Sequence, residues 1–191
     1  DRQRRSKIEL ATLSYGMGLA ATPLQLARFY STLANGGIKK TLSILKVDKN
    51  TVVPSERVFT EKHSNDVVEM LEHVVDEHYK VARVDGYRVG GKTGTSFKAF
   101  AGGYGNDYVG LFAGIAPITN PEIVVVVVIN EPGGDLYHGG EVAAPVFSRV
   151  MKGALQVLSI TPDAREDLAL SNALIEAEVE IIASNEEAND A

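Results

Sequence analysis

The sequence of 191 residues predicts an α+β fold, an antiparallel sheet flanked by helices. Three observations carry that expectation. Capped helical stripes of apolar residues come early in the chain. Three strand-like runs separated by turn residues then fill 87–130, and a further amphipathic helix follows at 145–158. The length suits one domain, and an apolar content of 45% is enough for a packed core.

The first clear helix spans 23–34. Thr22 is a good N-cap, Pro23 suits the first helical position, and Gln25 completes a T-x-x-Q capping box. Leu26, Phe29, Tyr30 and Leu33 form its apolar stripe, and Asn35-Gly36-Gly37 stops it. Residues 38–47 read as extended, and Pro54 marks a loop. A second helix is expected at 66–79, capped by Ser64, with Val67, Val68, Leu71, Val74 and Val75 on one face. Strands follow at 87–96, 108–116 and 122–130. A glycine-rich loop at 101–106 parts the first two, and a short turn at 118–121 joins the last two as a hairpin. The unbroken apolar run 124–128 suits a central strand buried on both faces. The last strong helix, 145–158, turns Phe147, Val150, Met151, Ala154 and Leu155 inward. Beyond Pro162 the periodicity fades. Residues 1–163 are expected to be the folded part and 164–191 an acidic, flexible tail, with a short helix possible near 169–182.

Charged residues are 23% and the formal net charge is −6, so nucleic acid is a poor partner. The charge is uneven. Arg2, Arg4, Arg5 and Lys7 crowd the start, where a solvated segment is the plain reading, and nine acids against Arg165 fill 163–191. The chain has no cysteine, which excludes disulfides, thiolate catalysis and cysteine-ligated metal. No apolar run approaches the roughly 18 residues of a membrane span, and no signal peptide is evident. The charged opening reads as a cut point rather than a natural start.

The chemistry centres on Lys92-Thr93-Gly94-Thr95, placed on a strand ahead of a flexible loop. Lys92 supplies positive potential for a carboxylate or developing anion. Thr93 and Thr95, two apart, offer hydroxyls on one face. Gly94 would let a substrate backbone approach, and unpaired strand N–H groups could serve as an oxyanion hole. The same stretch, Gly86 to Thr93, formally fits the G-x-x-x-x-G-K-T phosphate loop, which would make the chain a nucleotide-binding protein. That motif needs a helix after the lysine, and Gly94, Gly102, Gly103 and Gly105 disfavour one.

Seven segments resemble, in order, the late transpeptidase domain of division-specific (FtsI-like) class B penicillin-binding proteins. They are S-Y-G-M-G at 14–18, T-P-L-Q-L-A at 22–27, L-A-N-G-G at 33–37 and G-K-T-G-T at 91–95. L-F-A-G-I-A-P at 111–117, V-V-V-V-I-N-E-P at 125–132 and G-G-E-V-A-A-P-V-F at 139–147 complete the series. The resemblance covers residues 8–163. It implies a penicillin-binding, serine transpeptidase fold, present here in part, whose full sheet has five antiparallel strands. It also implies acyl transfer through a serine on D-Ala-D-Ala stem peptides, cross-linking septal peptidoglycan, with β-lactams as inhibitors and neither metal nor cofactor. By the same match Lys92 and Thr93 handle proton and charge, and Thr95 holds the substrate carboxylate and lends its N–H to the oxyanion hole. Tyr137, His138, Gly139 and Gly140 wall the cleft, and Ser96 and Phe97 follow the motif. Phe97 stands where some relatives carry a basic residue. The residues alone leave His138 open between a cleft-lining role and a plain loop position.

Two family motifs are missing. Ser43-x-x-Lys46 matches S-x-x-K by letter but sits in an extended run, and no S-x-N occurs. The nucleophile is therefore expected upstream of Asp1, in the other part of the same domain. Expected partners are that upstream part, stem peptides, β-lactams and divisome proteins such as the FtsW glycosyltransferase. The expected location is the periplasmic face of the bacterial inner membrane, held by an N-terminal helix outside this chain. A non-catalytic descendant of the family is the remaining alternative. His63, His73 and His78 read as a solvated helix face, since five residues part the last two and no H-E-x-x-H occurs.

Overall fold

The computed structural model describes residues 7–14, 16, 19–48, 50–100 and 103–164. The basic residues Arg2, Arg4 and Arg5 and the acidic stretch with its expected short helix lie outside them. The chain forms helices α1 (Lys7–Ser14) and α2 (Pro23–Ala34), a ribbon of β1 (Ile38–Lys40) and β2 (Ser55–Arg57), and helix α3 (Glu61–His78). Strands β3 (Gly90–Phe100), β4 (Gly103–Ala116) and β5 (Ile123–Asn130) follow, then α4 (Gly139–Val142) and α5 (Ala144–Val157).

Helix α2 starts as its sequence dictates. Thr22 Oγ1 accepts from Gln25 N at 3.2 Å, and Gln25 Oε1 accepts from Thr22 N at 2.8 Å. Helix α1 was not expected; its Lys7, Leu10 and Ala11 are exposed. Only 38–40 of the extended run 38–47 is strand, paired antiparallel with 55–57 and bridged by Lys39 and Glu56. Residues 41–48 are exposed and have no strand beside them. Helix α3 begins five residues before the expected 66, because Thr60 Oγ1 accepts from His63 N at 3.2 Å and provides the cap. Ser64, expected as that cap, is instead buried in the first turn with no hydrogen-bond partner for its Oγ.

The main sheet is antiparallel in the order β3-β4-β5. The first two strands run further than expected, to Phe100 and from Gly103, so most of the presumed loop 101–106 is a hairpin arm. A register shift lies between Phe97 and Ala99. The turn to β5 includes a cis Ala116–Pro117 bond. Among the described residues strand β5 ends the order β3-β4-β5, its five valines only partly buried and Val128 39% exposed. Helices α2 and α5 pack on it from both faces, which explains the apolar run, while its outer edge carries no strand among the described residues.

Side-chain alternation along β4 feeds two cores. Phe112 joins Val75, Val89, Phe147, Met151 and Leu155 beneath α5, with the Phe112 and Phe147 rings 4.6 Å apart. Ala113 and Ile115 join Tyr30, Leu33, Val68 and Ile118 beneath α2. Helix α3 lies along β3 and reaches both cores through Val68 and Val75. Helix α5 buries Phe147, Met151 and Leu155, four apart, whereas Val150 is turned outward and 49% exposed rather than inward. After α5 the chain is clasped back. Tyr87 Oη donates to Ile160 O at 2.6 Å, and the Asp163 carboxylate accepts from Arg88 N at 2.7 Å and Thr119 N at 2.9 Å. Arg88 also forks onto Glu72 at 2.6 and 2.7 Å, and that hydrogen bonding raises the arginine's pKa further.

Candidate active site

Lys92, Thr93, Gly94 and Thr95 lie on β3, which has β4 on one side and, among the described residues, no strand on the other. Half of its main-chain groups are therefore free of ladder bonds. No helix follows Lys92, so the geometry of a phosphate loop is absent and the nucleotide-binding reading falls. Thr93 and Thr95 share a face of the strand and line a cavity of about 500 Å³ with His138, Gly140, Tyr79 and Glu141.

The wall opposite the strand is the turn that opens α4. Gly139 N donates to Thr95 Oγ1 at 3.0 Å. The hydroxyl proton of Thr95 is thus left to point elsewhere, and a substrate carboxylate is a suitable acceptor. Gly139 is buried directly on the sheet: a Cβ there would lie 2.4 Å from both Gly94 O and Leu111 O. Only glycine lets the turn come this close. Glu141 holds the turn in shape, its Oε2 accepting from His138 N at 3.1 Å.

Lys92 folds back along its own strand. Its Nζ donates to Thr93 O at 3.2 Å and Thr93 Oγ1 at 3.3 Å, and lies 5.7 Å from the centre of the Tyr79 ring. Thr93 Oγ1 donates in turn to Tyr79 Oη at 3.0 Å. From Phe97, 45% exposed at the end of the motif, aromatic rings continue across the mouth. Phe97 and Tyr108 are 4.8 Å apart, Tyr108 and Tyr137 stack at 4.1 Å, and Tyr137 and His138 lie at 4.3 Å.

Not every residue singled out by sequence reaches the cavity. Ser96, next after Thr95, belongs to the opposite face and donates its Oγ to Phe97 O at 3.1 Å. Gly94 does not open the groove to a substrate backbone. The place of its missing Cβ is taken by the Leu111 side chain, whose Cγ would be 3.0 Å away, so cross-strand packing accounts for this glycine. Ser43 is exposed at a bend, its Oγ bonded to Leu45 O at 2.8 Å.

Sequence reasoning missed Tyr79, Glu141 and Tyr108, and it left His78 on a solvated face although it borders the cavity. No local motif marks these residues; only the meeting of α3, β4 and α4 at β3 brings them in. A larger cavity of about 850 Å³, bordered by Glu72, Asp76, Arg83, Asp85 and Arg88, holds none of the motif residues. Its charges are paired, Glu72 with Arg88, Asp76 with Arg83 and Asp85 with Lys152. Among the described residues no cluster of three or more histidines and carboxylates could hold a metal, and no helix is long and apolar enough to cross a membrane.

Comparison with known proteins gives a consistent result. Residues 2–152 match the penicillin binding protein transpeptidase domain. The peptidoglycan D,D-transpeptidase FtsI of Escherichia coli K12 is 48% identical over 166 residues, which is 85% of this chain and 28% of that protein. The protein of the same name from Buchnera aphidicola subsp. Baizongia pistaciae is 43% identical over 166 residues, 83% of this chain and 29% of that one. Among solved structures, the transpeptidase domain of Burkholderia pseudomallei penicillin-binding protein 3 superposes with a TM-score of 0.78 at 39% identity. That match covers 84% of this chain and 50% of the other. The chain thus spans under a third of these two curated relatives and half of a solved transpeptidase domain.

Proposed function

From the premise that this chain belongs to the penicillin-binding protein transpeptidase family, we propose that it is the C-terminal part of an FtsI-like D,D-transpeptidase domain. The reaction is acyl transfer. A serine from the upstream part of the same domain attacks the D-Ala-D-Ala carbonyl, D-alanine leaves, and an amine of a second stem peptide takes the acyl group. β-Lactams acylate the same serine. The chain's contribution is the wall that grips the substrate. Thr95 donates its hydroxyl to the terminal carboxylate and its N–H to the oxyanion, Lys92 supplies positive charge beside the reacting centre with the Thr93 hydroxyl as its hydrogen-bonding partner, and Tyr137 to Gly140 close the far side.

One observation carries this reading. The Gly139 N–H donates to Thr95 Oγ1 at 3.0 Å on an edge strand that borders a cavity, so the hydroxyl proton is left for another acceptor. The unpaired outer edge of β5, with helices already laid on both its faces, supports an upstream strand as the missing neighbour. By the resemblance to FtsI, the complete protein works in septal wall synthesis at the periplasmic face of the inner membrane, anchored there by an N-terminal helix. It acts with divisome proteins such as the FtsW glycosyltransferase.

The test is acylation of the full-length protein by a fluorescent penicillin. Thr95→Val removes a charge-assisted hydrogen bond of about 1.5–3 kcal/mol and should slow acylation roughly ten- to a hundredfold. Thr95→Ser keeps the hydroxyl and should restore most of the rate. Parental acylation by Thr95→Val would remove Thr95 from the site, and a full-length protein that never labels would remove the transpeptidase reading itself.

A further inference from the structure

We infer that Tyr79 is a positioning residue for Lys92 and Thr93, setting where the ammonium and the hydroxyl stand before substrate arrives. The inference rests on the transpeptidase reading for its consequence, though not for its geometry.

Tyr79 ends α3, its N–H bonded to Val75 O at 3.2 Å, just ahead of a short 3-10 turn at Lys80–Ala82. Its ring is held on two sides. Phe112, fully buried, meets it edge-on at 6.4 Å, and Gly140 lies so near that an added Cβ would be 2.7 Å from Tyr79 Cε1. A ring wedged in this way offers two fixed features to β3. The phenol oxygen takes the Thr93 hydroxyl proton at 3.0 Å, and the ring lies 5.7 Å from Lys92 Nζ. The Thr93 oxygen, its proton committed, turns a lone pair toward the ammonium at 3.3 Å. Lys92, Thr93 and Tyr79 therefore form one closed triangle. A lysine on an exposed edge strand has four rotatable bonds to order, and the triangle selects one arrangement in advance. The other charged or titratable groups around the cavity are His78 and Lys80 beside Tyr79 and His138 and Glu141 from the facing turn. None of them bonds Lys92 in this arrangement.

Two variants separate the two features of Tyr79. Tyr79→Phe keeps the ring and its packing but removes the acceptor for Thr93. Penicillin acylation of the full-length protein should fall about three- to tenfold, in the acylation rate constant rather than in binding, with an unchanged melting temperature. Tyr79→Leu also removes the ring. The second measurement needs no acylation: limited labelling of amines with acetic anhydride, read by mass spectrometry at Lys92 against exposed Lys46 as internal reference. An amine reacts only after leaving its contacts, so Tyr79→Leu should raise Lys92 labelling about two- to fivefold, and Tyr79→Phe should raise it less. Unchanged Lys92 labelling in Tyr79→Leu, or parental acylation by Tyr79→Phe, would overturn the inference. If the parental protein takes no penicillin while the labelling contrast appears, the triangle stands and the transpeptidase reading is what fails.

Discussion

Replacing Gly139 by alanine should separate the wall of the cleft from its floor. The added Cβ would sit 2.4 Å from Gly94 O and from Leu111 O and 3.0 Å from Leu111 N. Those are main-chain atoms of β3 and β4, so no side chain can rotate away, and the turn must lift by roughly 1 Å to reach ordinary contact near 3.4 Å. Lifting stretches the 3.0 Å bond from Gly139 N to Thr95 Oγ1 beyond hydrogen-bond range. Overpacking of this kind costs about 1–3 kcal/mol, equivalent to a melting temperature lower by roughly 2–12 °C for a domain of this size. Acylation should suffer more than stability suggests, because Thr95 loses the donor that orients it; a drop of about tenfold or more is expected. The control is Gly133→Ala, where an added Cβ meets nothing within 4 Å. Thermal unfolding and fluorescent-penicillin acylation of the full-length protein, measured side by side, decide it. If Gly139→Ala melts and acylates like Gly133→Ala, the turn is not seated on the strand as described, and the account of Thr95 orientation fails with it.

Tyr30, 7% exposed on the inner face of α2, has its phenol pushed up to about 12 by burial, against about 10 in an unfolded chain. Its contribution is whole below pH about 10 and is lost as pH rises toward 12, at most about 2–3 kcal/mol. Tyr30→Phe should therefore unfold at a higher alkaline pH, as followed by circular dichroism, and an unmoved or lower midpoint would contradict this. Ser43→Ala should acylate within about twofold of the parent, since Ser43 Oγ is bonded within an exposed turn. The chain of 191 residues alone should form no covalent penicillin adduct by intact-mass measurement. An adduct that disappears in Ser43→Ala would make Ser43 the nucleophile after all.

Local chemistry made part of the fold readable. Thr22, Pro23 and Gln25 carry all the information α2 needs to start, because a capping box closes within four residues. The three strands were visible as strand-like runs set off by turn residues. The errors arose where a local signal had a competitor. Ser64 and Thr60 are both N-cap residues by type, and Thr60 prevails because the chain reaches helical geometry early enough for its hydroxyl to meet His63 N. The valine run of β5 reports burial on two faces, which α2 and α5 supply, and says nothing of hydrogen bonding in the sheet plane. Val150 lies one residue before Met151 on α5, and hydrophobicity alone did not reveal that the core meets 147, 151 and 155.

The site divides along the same line. Its candidate letters are contiguous, and Thr93 and Thr95 share a face because a strand sends alternate side chains to one side, whereas Lys92 reaches Thr93 only by folding back along the strand. What holds them is remote. Gly139 reaches Thr95 across 44 residues and Tyr79 reaches Thr93 across 14, each from a different element. Gly94 shows the cost of reasoning from the motif alone. Its missing side chain looked like room for a substrate, and the room belongs to Leu111, brought opposite by the β3–β4 register. The edge strand is thus fixed from three directions, by Leu111 across the sheet, by Gly139 on the face that holds the cavity and by Tyr79 at its side. A strand with one unpaired edge would otherwise be the loosest part of a sheet. Clamping it from packed elements holds its hydroxyls in place, so the peptide binding proposed for that edge would require little reordering of the protein.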